Sequence, residues 1–191
     1  MLQTLLSWDA ALFQWINTGW SNPVFDTLLP LFRERLFWAP LYLFLAAFLV
    51  LNFKGKGWLM ILAICLAAGL TDFTSSTLIK KNVQRVRPCN DPAMVVTQRV
   101  SCGSGYSFTS SHAANHFAVA VFVVMLLGKT HRLVKPLVLA WAGLIALSQV
   151  YVGVHYPLDV TCGGLLGATI GYGLFRVLAP IISGRNSAVP I

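Results

Sequence analysis

Residues 58–88, WLMILAICLAAGLTDFTSSTLIKKNVQRVRP, join the two features from which the fold is read. The first part, Trp58 to Ile79, is an apolar run of nearly the length needed to cross about 30 Å of hydrocarbon. It passes without a spacer into KKNVQRVRP, a basic and polar segment that must find water or an anion. Four further segments have comparable length: Phe37–Phe53, Ala113–Gly128, Leu137–Val154 and Leu158–Ile182. Together they predict an all-α, integral-membrane helical bundle of about five transmembrane helices. Composition agrees, because 57% of the 191 residues are hydrophobic and only 10% are charged, whereas a soluble domain carries about a quarter charged residues on its wetted surface. With no internal repeat, low-complexity tract or dividing linker, residues 1–191 read as a single membrane-embedded domain.

Near the N-terminus, Leu2, Leu5, Leu6, Leu12, Phe13 and Ile16 share one helical face, with Gln3, Ser7, Gln14 and Asn17 elsewhere. That pattern predicts an amphipathic interfacial helix over residues 3–18, too polar to span. A second amphipathic piece, VFDTLLPLF, follows SNP, so residues 1–35 are read as interfacial N-terminal helices. The lack of a basic start, the presence of Asp9 and the lack of a small-residue cleavage site argue against a cleaved signal peptide.

With five spans, Lys54, Lys56, Lys129, Arg132, Lys135, Arg176 and Arg185 fall on one side, which the positive-inside rule makes cytoplasmic. The expected localisation is therefore multi-pass in the cytoplasmic (inner) membrane. The N-terminal helices, an outward loop over residues 80–112 and the HYPLD segment then face the periplasm or exterior. That loop keeps Lys80, Lys81, Arg85, Arg87 and Arg99 against the rule, which suggests that they hold an anion. The net charge of +8 accordingly reads as contact with lipid headgroups and an anionic substrate, not with nucleic acid. Four cysteines are too few and scattered for a disulfide scaffold or a zinc site. Cys89 and Cys102, both in the outward loop, are expected either to form a disulfide or to stay free thiols.

Three polar clusters lie at the ends of spans on the outward side: KKNVQRVRP (80–88), SFTSSH (107–112) and SQVYVGVHYPLD (148–159). Topology brings them together into a wet pocket at the membrane surface. Its contents suit phosphoryl transfer: cations for non-bridging oxygens, hydroxyl and amide donors at a helix start, and two histidines. His155 and Asp159 are four apart, so the carboxylate can fix the imidazole tautomer and make the ring a nucleophile. His112 is then free to protonate a leaving group. No metal-ligand set and no cofactor are called for. His116, at i+4 from His112, lacks a third ligand and reads as a supporting residue. Asp72, an acid within the second span, is expected to pair with a hydroxyl or a base inside the bundle. The small residues of CGGLLGATIGYG suit close helix packing.

The spacing from Lys80 to Arg87 and Pro88, the FTSSH segment, and Ser148 through GVHYPLD resemble the three signature motifs of the type-2 phosphatidic acid phosphatase superfamily, whose fold is shared with vanadium haloperoxidases. By that resemblance Lys80 and Arg87 bind phosphate, and Ser110, Ser111 and nearby amides hold its oxygens. His112 is implied as general acid, His155 as the nucleophile that forms a phosphohistidine, and Asp159 as the residue that orients it. Three positions depart from the family pattern: Thr109 stands where proline is usual, Ser111 where glycine is usual, and Gln149 where a phosphate-binding arginine is usual. Gln149 can donate to a phosphate oxygen but brings no charge. Arg85 is expected to supply the missing cation, with Arg99 in its place if the segment around Arg85 is helical.

The resulting expectation is a metal-independent lipid phosphatase acting on a lipid phosphate or diphosphate, with undecaprenyl diphosphate, the cell-wall lipid carrier, placed first. Phosphatidylglycerol phosphate, phosphatidic acid and lipid A phosphates are the alternatives. The competing class is a non-catalytic anionic-lipid binder or transporter. It is disfavoured because most polar chemistry sits at one edge, without the mid-membrane path or inverted repeat of a transporter. Nothing in the sequence sets the oligomeric state.

Overall fold

The computed structural model describes residues 1–183, so Arg185 lies outside the described residues. Helix α1 spans Leu2–Asn17. Helix α2 (Pro23–Arg33) begins where Asn22 accepts the backbone N–H groups of Val24 and Phe25 at 3.1 and 3.0 Å. Pro23 then takes the first helical position, where its missing N–H costs nothing. A short 3-10 turn, Arg35–Trp38, leads into α3 (Ala39–Phe53), and Lys54 in a left-handed conformation turns the chain into α4 (Gly55–Phe73).

The predicted span Trp58–Ile79 and the start of the predicted outward loop prove to be one helical run. Helix α4 passes through a π-helical segment, Thr74–Ile79, into α5 (Lys80–Val83). The remaining helices are α6 (Ser111–Leu127), α7 (Val134–Tyr151) and α8 (Pro157–Ser183). Helix α7 begins and ends three residues earlier than expected. Pro136 is accepted in its first turn, and Gly153, at φ 92°, turns the chain away beyond its end. Four helical stretches are long and apolar enough to cross a membrane, and α6 is a shorter apolar helix. The protein is thus an all-helical, multi-pass membrane bundle.

Helices α6 and α8 form its centre. Gly163, Gly167 and Gly171 recur every fourth residue on one stripe of α8. A Cβ on them would stand 2.5, 1.9 and 2.3 Å from the carbonyl oxygens of Ser110, Ala114 and Ala118. Only glycine permits this backbone approach, and Ala113, Ala114, Ala118 and Ala120 answer it as fully buried small residues on α6. The close-packing reading of CGGLLGATIGYG is therefore what the structure contains.

The N-terminal helices dock on the end of α7 and the start of α8. Helix α1 keeps its leucine stripe outside the bundle and packs a neighbouring face against the protein. The face it buries is Asp9, Phe13, Ile16 and Asn17, at i, i+4, i+7 and i+8, while Leu2, Leu5, Leu6 and Leu12 stay exposed. Two of these anchors are polar because they meet polar groups: Asn17 Nδ2 donates to the carbonyls of Tyr151 and Thr97 at 2.7 and 3.0 Å. In the loop after α5, Cys89 and Cys102 form a disulfide.

Candidate active site

The end of the α4–α5 run, the starts of α6 and α8, and the end of α7 meet at one end of the bundle. The π-helical segment inserts an extra residue per turn, a distortion frequent at functional sites. It aims Ser75 and Ser76 at the start of α6. Ser75 Oγ lies 3.0 Å from Thr109 Oγ1 and 2.9 Å from Ser111 Oγ, and Ser76 Oγ lies 2.9 Å from Ser111 Oγ. Two of the unusual residues, Thr109 and Ser111, are thus joined in one hydroxyl cluster that ties α4 to α6. Ser111, expected among the phosphate ligands, spends its hydroxyl on that cluster. Ser110 is fully buried, caps α6 by accepting the Ala113 N–H at 3.4 Å, and donates its own N–H to the Asp159 carbonyl at 3.0 Å.

Lys80 and Arg87 are both held against the turn before the second cluster. Lys80 Nζ donates to the Tyr106 carbonyl at 3.2 Å, and Arg87 Nε donates to the Gly105 carbonyl at 3.2 Å. Each keeps further N–H groups for an anion.

His155 is 2% exposed, and its Nδ1 lies 3.6 Å from Asp159 Oδ2. That is an ion-pair distance, longer than a hydrogen bond. The carboxylate itself is fixed from every side. Its Oδ2 accepts the Ser107 hydroxyl and, at 2.8 Å, the Tyr156 N–H just ahead of α8, the reach-back of a capping box. Its Oδ1 accepts Arg85 Nη1 at 2.8 Å. Burial pushes the His155 pKa down to about 4 although the adjoining carboxylate pulls the other way, so the ring is neutral at pH 7, with Nδ1 turned to Asp159 and Nε2 left for chemistry.

Arg85, expected to stand in for the missing phosphate-binding cation, is otherwise occupied. Its second terminal nitrogen donates to Asp9 Oδ2 at 2.7 Å, and the guanidinium stacks 3.8 Å over the Tyr156 ring. Asp9 Oδ1 in turn accepts the Leu158 N–H at 2.8 Å. A buried chain Asp9–Arg85–Asp159 therefore braces the start of α8, and burial raises the Asp9 pKa. Arg99 is paired with Asp26 and donates to the carbonyls of Asn17 and Tyr151 at 2.8 and 3.0 Å, with its Nη2 buried and without a partner. Neither arginine has its charge free for Gln149.

Gln149 is fully buried at the end of α7. Its Oε1 accepts Arg33 Nε at 3.3 Å, and its Nε2 has no partner. Arg33, from the end of α2, also lines a polar chamber of about 300 Å³ together with Glu34, Asp72, His112 and Asn115. His116 Nδ1 donates to the His112 carbonyl at 2.7 Å, which leaves its Nε2 to accept from Tyr42 at 3.1 Å. This matches the supporting role expected for it. Asp72 meets Ser76 and Asn115 at 3.4 and 3.3 Å, a hydroxyl and an amide in place of a base. Among the described residues no group of three or more His, Cys, Asp or Glu side chains is arranged to hold a metal ion.

Three residues of the site, Ser107, Asp9 and Arg33, do not stand out in the sequence as site residues. Ser107 lies inside the second polar cluster, and Asp9 is visible as an acid in an apolar helix. Arg33 resembles any charge at the edge of a span.

Residues 56–182 match the model of the PAP2 superfamily. The chain is 28% identical to the lipid A 4'-phosphatase of Bacteroides thetaiotaomicron over 198 aligned residues, which cover 100% of this chain and 86% of that protein. It is 38% identical over 126 residues to the decaprenylphosphoryl-5-phosphoribose phosphatase of Mycobacterium tuberculosis, covering 64% of each chain. The crystal structure of a transmembrane PAP2-type phosphatidylglycerolphosphate phosphatase from Bacillus subtilis superposes with a TM-score of 0.72 at 22% identity, over 96% of this chain and 90% of that one. Converging from motif order, helical architecture and the match across most of its length, the chain belongs to the PAP2 superfamily and is a membrane-embedded lipid phosphatase.

Proposed function

We propose that the protein hydrolyses a lipid phosphomonoester on the periplasmic or exterior face of the inner membrane through a phosphohistidine at His155. The observation that carries this reading is the buried His155 ring backed by a carboxylate locked by Arg85, Ser107 and the Tyr156 N–H. In the first step Nε2 of His155 forms a bond to phosphorus, the bond from phosphorus to the lipid oxygen breaks, and His112 gives that oxygen its proton. In the second, water attacks phosphorus, the neutral His112 takes the water's proton, and the P–N bond breaks to release phosphate. Lys80, Arg87, Ser110 and the Gln149 amide hold the non-bridging oxygens, where charge is spread in the transition state. Asp159 acts throughout by orienting His155, and no metal takes part.

The lipid tail has room beside the site. Two apolar grooves of about 630 and 510 Å³ flank α3 and share Tyr42 and Trp141, the second reaching His116. The headgroup side is the polar chamber at His112, whose wall includes Asp72, Glu34 and Asn115. Its carboxylates and amide suit the hydroxyls of a sugar, beside Arg33 and Arg35 on the same wall. We therefore place a sugar-borne phosphate of the lipid A 4'-phosphate kind ahead of undecaprenyl diphosphate. The relative similar over the whole chain acts, by its name, on lipid A. Arg35 on the same chamber wall is what favours undecaprenyl diphosphate as a second reading.

Phosphate release by the purified protein from lipid A, phosphatidylglycerol phosphate, phosphatidic acid and undecaprenyl diphosphate, each with and without chelator, tests both levels. A preference for lipid A unaffected by chelator is expected. A preference for the diphosphate reverses the substrate order, and chelator-sensitive turnover contradicts the mechanism.

A further inference from the structure

We propose that Arg33, carried by the N-terminal helix α2, is the third phosphate-binding cation of the active site, presented to the substrate by Gln149. The proposal rests on the phosphatase reading of the site. Its geometry begins with the contact already described, Arg33 Nε to Gln149 Oε1 at 3.3 Å. The position of an arginine in related motifs is thus filled here by an amide that grips an arginine arriving from another helix, 116 residues away in sequence.

Two sets of donors are left over. Among the described residues no carboxylate lies within ion-pair distance of Arg33, and its terminal nitrogens have no hydrogen-bond partner. Gln149 Nε2 is buried without a partner beside them. The buried Gln149 amide without a partner is costly, and the half-buried Arg33 guanidinium, attracted by Glu34 but not ion-paired with it, keeps its terminal nitrogens accessible to an anion. A phosphate dianion would satisfy them together, with the planar guanidinium offering two parallel donors. The same guanidinium faces the chamber that His112 lines, which sets it where phosphate oxygens must lie for His112 to reach the leaving oxygen. The contrast with Arg85 and Arg99 is direct, since each of those is neutralised by carboxylate.

The test uses the full-length protein in detergent and orthovanadate, a phosphate-shaped anion, as the probe. Arg33→Gln is expected to weaken vanadate inhibition and to lower kcat/KM roughly ten- to a hundredfold, the effect of one charge-assisted contact. Arg33→Lys, which keeps the charge, should lose much less. Transferring the charge back, in Arg33→Gln with Gln149→Arg, should restore vanadate inhibition. If Arg33→Gln unfolds early, the lysine variant decides: inhibition lost at wild-type melting temperature overturns the proposal. Unchanged vanadate inhibition in Arg33→Gln, with His155→Ala inactive, overturns this proposal alone. Full activity in His155→Ala overturns the phosphatase site and this proposal with it.

Discussion

Helices α6 and α8 are held together by the absence of side chains, whereas α1 and α2 meet the bundle through an apolar cluster of Phe13, Ile16 and Leu29 flanked by charged and amide groups. Along the first contact, Gly163, Gly167 and Gly171 let backbones meet, and packing of this kind is insensitive to charge. Along the second, Asp9 pairs with Arg85, Asp26 with Arg99, and Asn17 with two carbonyls. The glycine-packed pair carries Ser110 and His112 at the start of α6 and Asp159 at the start of α8. The docked pair lies at the periphery, yet it supplies the carboxylate that backs Arg85 and the guanidinium that meets Gln149. The family match begins at residue 56, so neither Asp9 nor Arg33 lies within it. On the proposed reading the rigid pair carries the acid His112 and the orienting Asp159, the nucleophile His155 stands in the turn ahead of α8, and the docked pair backs Arg85 and meets Gln149.

The largest effect should come from the rigid pair. His112→Ala is expected to lower turnover of a lipid phosphate by about 10²- to 10⁴-fold, the usual worth of a positioned general acid. With a phosphate ester whose leaving group needs no proton, such as a nitrophenyl phosphate, the loss should shrink sharply. An equal loss on both substrates would show that His112 holds the site together instead of donating a proton.

The docked pair should respond next. Asp9→Asn leaves an acceptor for the Leu158 N–H but removes one charge from the buried chain Asp9–Arg85–Asp159, in which the Asp9 and Asp159 side chains are 1% and 0% exposed and that of Arg85 19%. Because burial already penalises the ionised Asp9, the loss should stay below the roughly 3 kcal/mol at which breaking a fully buried pair begins. Detergent-solubilised protein should melt at lower temperature, and kcat should fall as Arg85 shifts on Asp159. An unchanged melting point would mean that apolar contacts alone attach α1.

The pH dependence separates the regions by sign. His155 titrates near 4 when folded and near 6.5 when unfolded. Between those values the unfolded chain holds more protons, so stability from this group is full above about 6.5 and is lost as pH falls to about 4, by about 3 kcal/mol. Asp9, raised by burial, acts oppositely: its contribution is present below the unfolded value of 3.8 and is lost as pH rises through the folded one. Unfolding followed from pH 7 to 4 should therefore show falling stability that His155→Gln flattens. A wild-type profile that is already flat would contradict the buried, neutral imidazole.

The same division explains what the sequence discloses. The spans, the His112 and His155 positions and the glycine stripe follow periodicities within one helix or one motif, and they can be read residue by residue. Thr109 and Ser111 are visible as departures, but their partners Ser75 and Ser76 lie 34–36 residues back and are aimed by a π-helical turn that no local pattern announces. Arg85 stands out for its charge, and only the fold reveals that Asp9 and Asp159 consume it. Arg33 ends an ordinary amphipathic helix, and its relation to Gln149 depends on how α2 meets α7. The α1 leucine stripe marks one apolar face, but a helix at a membrane has two apolar neighbours, lipid and protein, and the sequence does not say which face each receives.

The central claim is that His155 is the nucleophile, and it is tested most directly by trapping the intermediate. Protein mixed with a lipid phosphate, quenched in alkali within one turnover and mapped by peptide mass spectrometry should carry one acid-labile phosphoryl group on His155, absent from His155→Ala and diminished in Asp159→Asn. Turnover that proceeds without any phosphorylated histidine, with inversion at phosphorus as for direct attack by water, would contradict the account.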